Sequence, residues 1–449
     1  MFTHIFFLIL AFLLMNSLPE TSAPAIKSVW DAFGISLLLY VGLCGTFFFQ
    51  YPLLKKLFRR KPSFILFIIN IELLAYLSVY QYILDAGRLF HMIPFMQNMH
   101  FLNVLWELGL YLGGLGLFHA LSFVKFYSYN ISETRFYYAQ RQLKLLVPFF
   151  LPFVIITLAL DIFSTLLGPQ VSTKTLEWMS ASFSVLIAIL LFIFLPYFLQ
   201  KIWKCNPLPA GALNDRLAIV CQKAGFKHAG MRTWTVMHDQ LTAGIMGIIS
   251  PFRYVMFTER LLKELSTESI EAILAHEIGH NTHRHLLFYP FILSGLLPLT
   301  GIFFYFFSAP LSYFLGQEKA WPLSAAGNFF NLLKFFSFYA LIILGYFRGV
   351  FGFFSRLFER QADLHVFKVG LPLESMINAL EAVAYANGGY ATPNWHHYSI
   401  KERVEFLKSC LLSPLLIEQH HRKVKKALLI YVALFLTALT FLLYLTINL

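Results

Sequence analysis

Apolar residues run along this chain in blocks far longer than the core face of a soluble helix requires. A helix needs about twenty predominantly apolar residues to cross the hydrocarbon core of a bilayer. Runs of that kind fall near residues 30–52, 63–84, 101–123, 145–167 and 177–199, then near 286–316 and 329–349, and finally near 426–447. Each predicts a membrane-crossing helix. A shorter opening run, roughly Ile5 to Leu18, lacks a basic flank ahead of it. It reads as a retained short first span, with a signal sequence as the alternative. Neither an internal repeat nor a low-complexity linker is present.

The polar positions fix the sidedness. Lys55–Lys61, the Lys125–Lys144 loop, and Lys201 with Lys204 follow alternate spans, whereas the connections around Asp85–His91 and Gly168–Glu177 are poorer in Lys and Arg. Basic loops stay in the cytoplasm, so the polar blocks from about Lys201 to Arg284 and from about Arg348 to Lys425 are both expected there. One hairpin of two spans separates them, and they are free to form a single domain. The expected organisation is a membrane domain over 1–200, a catalytic domain in two parts over 201–285 and 351–425, a transmembrane hairpin over 286–350, and a last span over 426–449. The fold class is mainly α: a polytopic helical membrane protein carrying a small α+β domain.

Composition agrees. Hydrophobic residues make up 58% and charged residues 13% of the chain, with a mean hydropathy of +0.65. Soluble domains carry about 25% charged residues, so much of this surface faces lipid. The excess of 35 Lys+Arg over 23 Asp+Glu lies beside apolar runs, as in KKLFRR (Lys55–Arg60) and HHRKVKK (His420–Lys426). That placement suits anionic lipid headgroups and argues against nucleic acid. Cys44, Cys205, Cys221 and Cys410 are scattered singly, which supports neither a thiolate metal site nor a disulfide framework.

One short stretch concentrates the polar chemistry: AHEIGHNTHRH, Ala275–His285. Ser266 is a candidate N-cap, Glu268 follows in the first turn, and Ile270, Ile273 and Leu274 have helical spacing. On that helix His276 and His280 lie four apart and project from one face. Two imidazoles so held supply half of a tetrahedral zinc shell, and Glu277 beside them is placed to act as the base. A catalytic zinc needs a third protein ligand. Glycine at His283 and histidine at Leu286 would give the extended metzincin motif, and both are absent. The second polar block offers SRLFERQADLHVF, where Glu359 and Asp363 again share a helix face. Glu359 would complete the shell, and Asp363 would hydrogen-bond the far nitrogen of a ligand histidine. Alone, the same residues read as a surface salt-bridge network with Arg356 and Arg360. His283 and His285 read as the helix entering the membrane interface rather than as ligands.

LAHEIGH, two spans, then SRLFERQAD resembles the membrane zinc endopeptidases of the CaaX prenyl protease and HtpX family, over roughly Thr233 to Leu407. The resemblance implies a zincin-like (gluzincin) catalytic domain and one zinc ion per chain, held by His276, His280 and Glu359. It also implies Glu277 as base and Asp363 behind a ligand. HHYSIKERVEFL is similar to the family's H-P-x-x-x-x-R element, which implies His397 as the oxyanion stabiliser and Arg403 near the zinc. The substrate would be a peptide or protein. The chain departs from the family at three places: TAGIMG has Thr242 where asparagine is usual, Tyr398 stands in place of proline, and the last span has no counterpart in the prenyl protease pattern.

Leu241 to Phe257 reads as one or two strands. An edge strand at Thr242 and Ala243 can pair with an extended substrate; equally, a small sheet can prop up the helix. Glu72, Glu107 and Asp161 fall within apolar spans, where ionisable groups face protein or water, and the resemblance implies a hydrated chamber for them to line. For Asp161 a boundary position is the alternative. Gly109, Gly113, Gly114 and Gly116 read as close helix packing. The sequence thus predicts a multi-pass zinc metalloendopeptidase with its active site at the cytoplasmic face, in a bacterial inner membrane, engaged in quality control or processing. A regulatory protease cleaving one repressor and an inactive membrane scaffold are the alternatives.

Overall fold

The computed structural model describes residues 2–15, 26–58, 62–93, 99–123, 134–314, 338, 340–387, 389–392 and 397–447. These divide at Phe192 and Ile193 into two compact units.

In the first unit the apolar runs form α1 (Phe2–Met15), α2 (Val29–Leu57), α3 (Pro62–Ser78), α4 (Phe101–Ser122), the short amphipathic α5 (Arg135–Lys144), α6 (Val147–Leu167) and most of α7 (Thr173–Ile202). The opening run is helical through Met15; its residues 16–18 lie outside the described residues. Leu73, Leu77, Tyr80, Tyr111 and Leu115 are fully buried and form the centre of this unit. Three of the four glycines do mark close packing. A Cβ on Gly114 would stand 2.5 Å from Leu73, one on Gly113 would stand 2.9 Å from the Tyr40 hydroxyl, and one on Gly116 would stand 3.1 Å from Leu143. Gly109 faces open space.

Two of the acids within the apolar spans share one cavity. Glu107 is fully buried, accepts a hydrogen bond from Asn103 Nδ2 at 2.8 Å, and with Asp161 lines a cavity of about 370 Å³. Asp161 also accepts from the Phe101 main-chain N–H at 2.6 Å, placing a carboxylate at the N-terminus of α4. That arrangement satisfies a helix-end donor and opposes the helix dipole.

The second unit begins at the end of α7. A four-stranded sheet of order β1-β2-β4-β3 is built from β1 (Asn206–Pro207), β2 (Gly230–Thr233), β3 (Ala243–Met246) and β4 (Tyr254–Phe257). β4 is buried at every residue, as its unbroken apolar run YVMF demands of a strand covered on both faces. It pairs in parallel with β2 and antiparallel with β3, with Ala243 opposite Phe257 and Ile245 opposite Val255. β3 is therefore an edge.

Helix α8 (Ala212–Lys223) lies between β1 and β2 in the chain, and α9 (Thr267–Thr282) follows β4. Ser266 caps α9 by accepting from the Ser269 N–H at 3.2 Å. Ile270, Leu274 and Ile278 of α9 are at most 1% exposed; burial of each contributes about 1.5–3 kcal/mol and holds the helix in the centre of the unit. The chain continues through α10 (His285–Ser294) and α11 (Leu296–Phe314), so the predicted run near 286–316 is two helices meeting at Gly295. Of the predicted span near 329–349, residues 329–337 and 339 lie outside the described residues. From Ala340 an apolar helical stretch runs through a π-helical turn, Phe347–Phe351, directly into α12 (Gly352–Asp363). α13 (His365–Val369), α14 (Leu373–Asn387) and α15 (Ile400–Leu412) complete the core with Leu373, Met376, Leu380, Val404 and Leu407. The last helix, α16 (Leu415–Ile447), starts well before its apolar run and carries HHRKVKK on its first turns. Among the described residues, eight helices are long and apolar enough to cross a membrane.

Candidate metal centre and active site

Helix spacing places the histidines. His276 and His280, four apart on α9, bring their Nε2 atoms within 3.2 Å of each other. Glu359 reaches them from α12, with Oε1 3.5 Å from His280 Nε2 and Oε2 3.8 Å from His276 Nε2. All three side chains are buried, and their donor atoms form a group able to hold a metal ion. The two helices can approach this closely because position 279 is glycine. A Cβ there would stand 2.8 Å from His365 Cβ and 2.9–3.0 Å from the Ala362 main chain.

The surrounding hydrogen bonds decide the donor chemistry. His276 Nδ1 lies 2.9 Å from Asp363 Oδ1, so its N–H donates to the carboxylate and its Nε2 carries the lone pair. His280 Nδ1 lies 2.9 Å from His285 Nδ1, and His285 Nε2 lies 3.0 Å from Gln361 Oε1. With the Gln361 oxygen accepting from His285, His285 Nδ1 accepts from His280, and His280 Nε2 also presents a lone pair. Two such lone pairs facing each other at 3.2 Å, with a carboxylate beside them, repel one another unless a cation lies between. Donors about 2.0–2.1 Å from a tetrahedral zinc stand about 3.3–3.4 Å apart, close to the spacings found. The residues fit a metal ion.

Charge around the group is matched. Arg403 on α15 makes a bidentate pair with Asp363, Nε at 2.9 Å and Nη2 at 2.6 Å, and its Nη1 lies 3.4 Å from Glu359. Burial opposes the guanidinium's charge, but Asp363 and Glu359 outweigh it and hold Arg403 firmly protonated. Burial lowers His276, but Asp363 and Glu359 more than compensate, leaving it raised from its ordinary value; burial takes His280 down to about 4. Glu277 is pushed up to about 7 by burial, while the neighbouring His276 and a main-chain hydrogen bond from Ile245 pull the other way.

Sequence-predicted residues meet in one place. His276, Glu277, His280, Glu359, His397 and Arg403 all line one cavity of about 560 Å³, as do Thr242 and Ala243. His397 Nδ1 is 3.4 Å from Glu359 Oε2, on a side chain that is 40% exposed. Thr242 directs its own main chain at Thr258, donating to Oγ1 at 3.3 Å while its carbonyl accepts from Thr258 N at 3.2 Å. In an antiparallel pair such bonded positions alternate with outward-facing ones, so Ala243 and Ile245 turn their main chains outward, where the Ala243 carbonyl accepts from Thr242 Oγ1 at 3.3 Å and the Ile245 N–H is bonded to Glu277. Glu359 and Asp363 are buried rather than at the surface, and Arg360 lies over the Tyr398 ring, 3.7 Å from its centroid, and over Phe406. This contact employs the tyrosine that stands in the usual proline position.

Residues 207–411 match peptidase family M48. The chain carries a peptidase family M48 domain. With eight apolar helices and a His–His–Glu group inside that domain, it is a membrane metallopeptidase. The structure is similar to the crystal structure of S. mikatae Ste24p, at 18% sequence identity and a TM-score of 0.49, with 90% of this chain and 98% of that chain covered. No curated protein matches the chain.

Two residues of the M48 domain escaped the sequence reading. His285 opens the candidate span His285–Phe303 and lies outside the donor group, in keeping with the interface reading, but its full burial and its contact with His280 were not foreseen. Positions five apart on one helix diverge by about 140°. Here the helix breaks at His283, and Arg284 adopts the left-handed conformation at φ 58°, which returns His285 to His280. Gln361 had no signal beyond its place between Glu359 and Asp363.

Proposed function

We propose that this protein is a zinc-dependent endopeptidase that cuts protein substrates at the cytoplasmic face of a bacterial inner membrane, in membrane protein quality control or processing. The observation that carries the reading is the convergence of His276, His280 and Glu359 with Glu277 beside them. Two neutral imidazoles and one carboxylate are the donor set of a catalytic zinc that keeps a fourth position open. Such an ion, when bound, polarises a substrate carbonyl and acidifies water.

The chain's own groups supply the remainder. Glu277 is half-buried and poised near neutrality, so it accepts a proton from the attacking water and returns it to the leaving amine. His397, half-exposed beside Glu359, donates a hydrogen bond to the oxyanion as charge develops there. Asp363 fixes the His276 tautomer, and Arg403 holds Asp363 and Glu359 in place. An extended substrate pairs with the free edge of β3 through the main chain of Ala243, and Thr242 anchors the start of that edge to Thr258. The cytoplasmic placement follows from the basic loops between spans.

The test is cleavage of an unstructured model protein by detergent-purified enzyme. Activity should disappear with chelator and return with zinc. Glu277→Gln should retain one zinc per chain by elemental analysis while cleavage falls at least about 100-fold. Cleavage that survives in Glu277→Gln rules out its role as the base.

A further inference from the structure

Beyond the donor group, a line of hydrogen bonds leaves His280 and ends on the last helix. His280 Nδ1 meets His285 Nδ1 at 2.9 Å, His285 Nε2 meets Gln361 Oε1 at 3.0 Å, and Gln361 Nε2 meets His421 Nδ1 at 2.8 Å. It joins α9, α10, α12 and α16. His285 cannot turn away, because its ring is stacked on Phe358 at 4.2 Å with an interplanar angle of 8° and is fully buried.

We infer that His285, Gln361 and His421 are positioning residues that fix the tautomer of His280, so that a contact on the C-terminal helix sets the affinity of the metal site. The inference rests on the metal reading of His276, His280 and Glu359. Each bond in the line allows one donor and one acceptor, and direction therefore propagates along it. His421 Nδ1 accepts from the Gln361 amide, which turns the Gln361 oxygen toward His285. His285 then donates through Nε2 and accepts through Nδ1, His280 donates through Nδ1, and the His280 Nε2 lone pair faces the metal position.

The opposite amide orientation reverses every step. Gln361 would donate to His285, His285 to His280, and the hydrogen left on His280 Nε2 would point at His276 and Glu359, where an ion must sit. The amide of Gln361 thus selects between a metal-accepting and a metal-refusing histidine. His421 sets that amide from a half-buried position on α16, and this gives the last helix a part in the site although it supplies no donor.

The experiment measures the zinc dissociation constant of full-length protein in detergent, by competition with a chromophoric chelator. Cobalt substitution reports the donor set through its visible absorption. Gln361→Met removes the acceptor and should weaken zinc by about 10–100-fold, the usual effect of losing a partner behind a metal ligand. Gln361→Glu keeps an acceptor-only atom facing His285 and should stay within about threefold of the parent. A merely structural role predicts the reverse order, because a buried carboxylate disturbs packing more than a thioether does. His421→Lys presents only donors, turns the Gln361 oxygen toward itself, and should weaken zinc about tenfold.

His276→Ala separates the two claims. If it leaves zinc binding intact, the donor-group reading fails. If it abolishes binding while Gln361→Met and His421→Lys remain within twofold of the parent, the donor group stands and the positioning inference is overturned. Thermal unfolding of each variant without metal identifies any that fail to fold. His421→Lys, at the half-buried end of the line, still decides the question if Gln361→Met is one of them.

Discussion

Replacing Gly279 by alanine puts a methyl group where the two donor helices cross. The new Cβ would lie 2.8 Å from His365 Cβ and 2.9–3.0 Å from Ala362 main-chain atoms. Ordinary carbon contacts are about 3.5–4.0 Å, so α9 and α12 must part locally by roughly 0.7–1 Å. Parting costs the ion-free protein little. Overpacking of this kind is worth about 1–3 kcal/mol, relaxation relieves much of it, and alanine returns up to about 1 kcal/mol of helix propensity. Metal binding cannot relax in the same way. Glu359 stands 3.5 and 3.8 Å from the two Nε2 atoms, already at the long end of tetrahedral spacing. Closing on an ion must restore the clash, so zinc affinity loses the full overpacking term of about 1–3 kcal/mol, or roughly 5- to 150-fold at 1.4 kcal/mol per decade. Chelator competition gives the affinity, and melting with and without zinc separates the two states. The variant should melt near the parent in chelator and gain far less on zinc addition. A zinc dissociation constant within twofold of the parent would show that the glycine is not what permits the helix approach. Gly109→Ala, where no atom lies within 4 Å, is the matched control.

Arg403→Met breaks a buried pair from one side and leaves Asp363 without its bidentate partner. It should lower unfolding stability by about 3–5 kcal/mol, and adding Asp363→Asn should recover part of that loss in denaturant titrations. Zinc affinity should depend on pH through His276. Its folded value is raised, so the ion-free site holds a proton below that value and releases it above. Affinity should therefore rise with pH up to that point and fall about tenfold per unit below it, with His280, at about 4, adding a second proton only in stronger acid. An affinity flat from pH 5 to 8 would contradict the assignment. Arg284, at φ 58°, should accept glycine with a gain of up to about 1 kcal/mol and lose about 1–3 kcal/mol on replacement by valine, as measured by thermal melting.

What the sequence revealed follows the range of its signals. His276, Glu277 and His280 are legible because one helical turn fixes their relation, and Glu359 and Asp363 because they repeat the same spacing in the other polar block. The spans are legible because hydropathy accumulates over twenty positions. His397 and Arg403 came only through likeness to a known pattern, since no local rule ties them to a helix more than a hundred residues earlier. The contact of His285 with His280 was not legible because a non-glycine residue in the left-handed region breaks the helix between them, which spacing alone cannot anticipate. The parallel pairing of β2 with β4, the capping of α4 by Asp161, and the joining of Gln361 to His421 are all tertiary facts. They arise from where elements dock and leave no periodic trace.

The three donor atoms come from positions 276, 280 and 359, and this ordering has a consequence during synthesis. A ribosome that has finished α9 has made two imidazoles and Glu277, the base of the proposed reaction, but neither the carboxylate of Glu359 nor the Asp363–Arg403 clamp. Until the chain has passed residue 403 and folded back, no zinc can be held tightly. A zinc peptidase of the proposed kind would therefore stay inert while its own unfolded remainder is the nearest extended polypeptide available to cut.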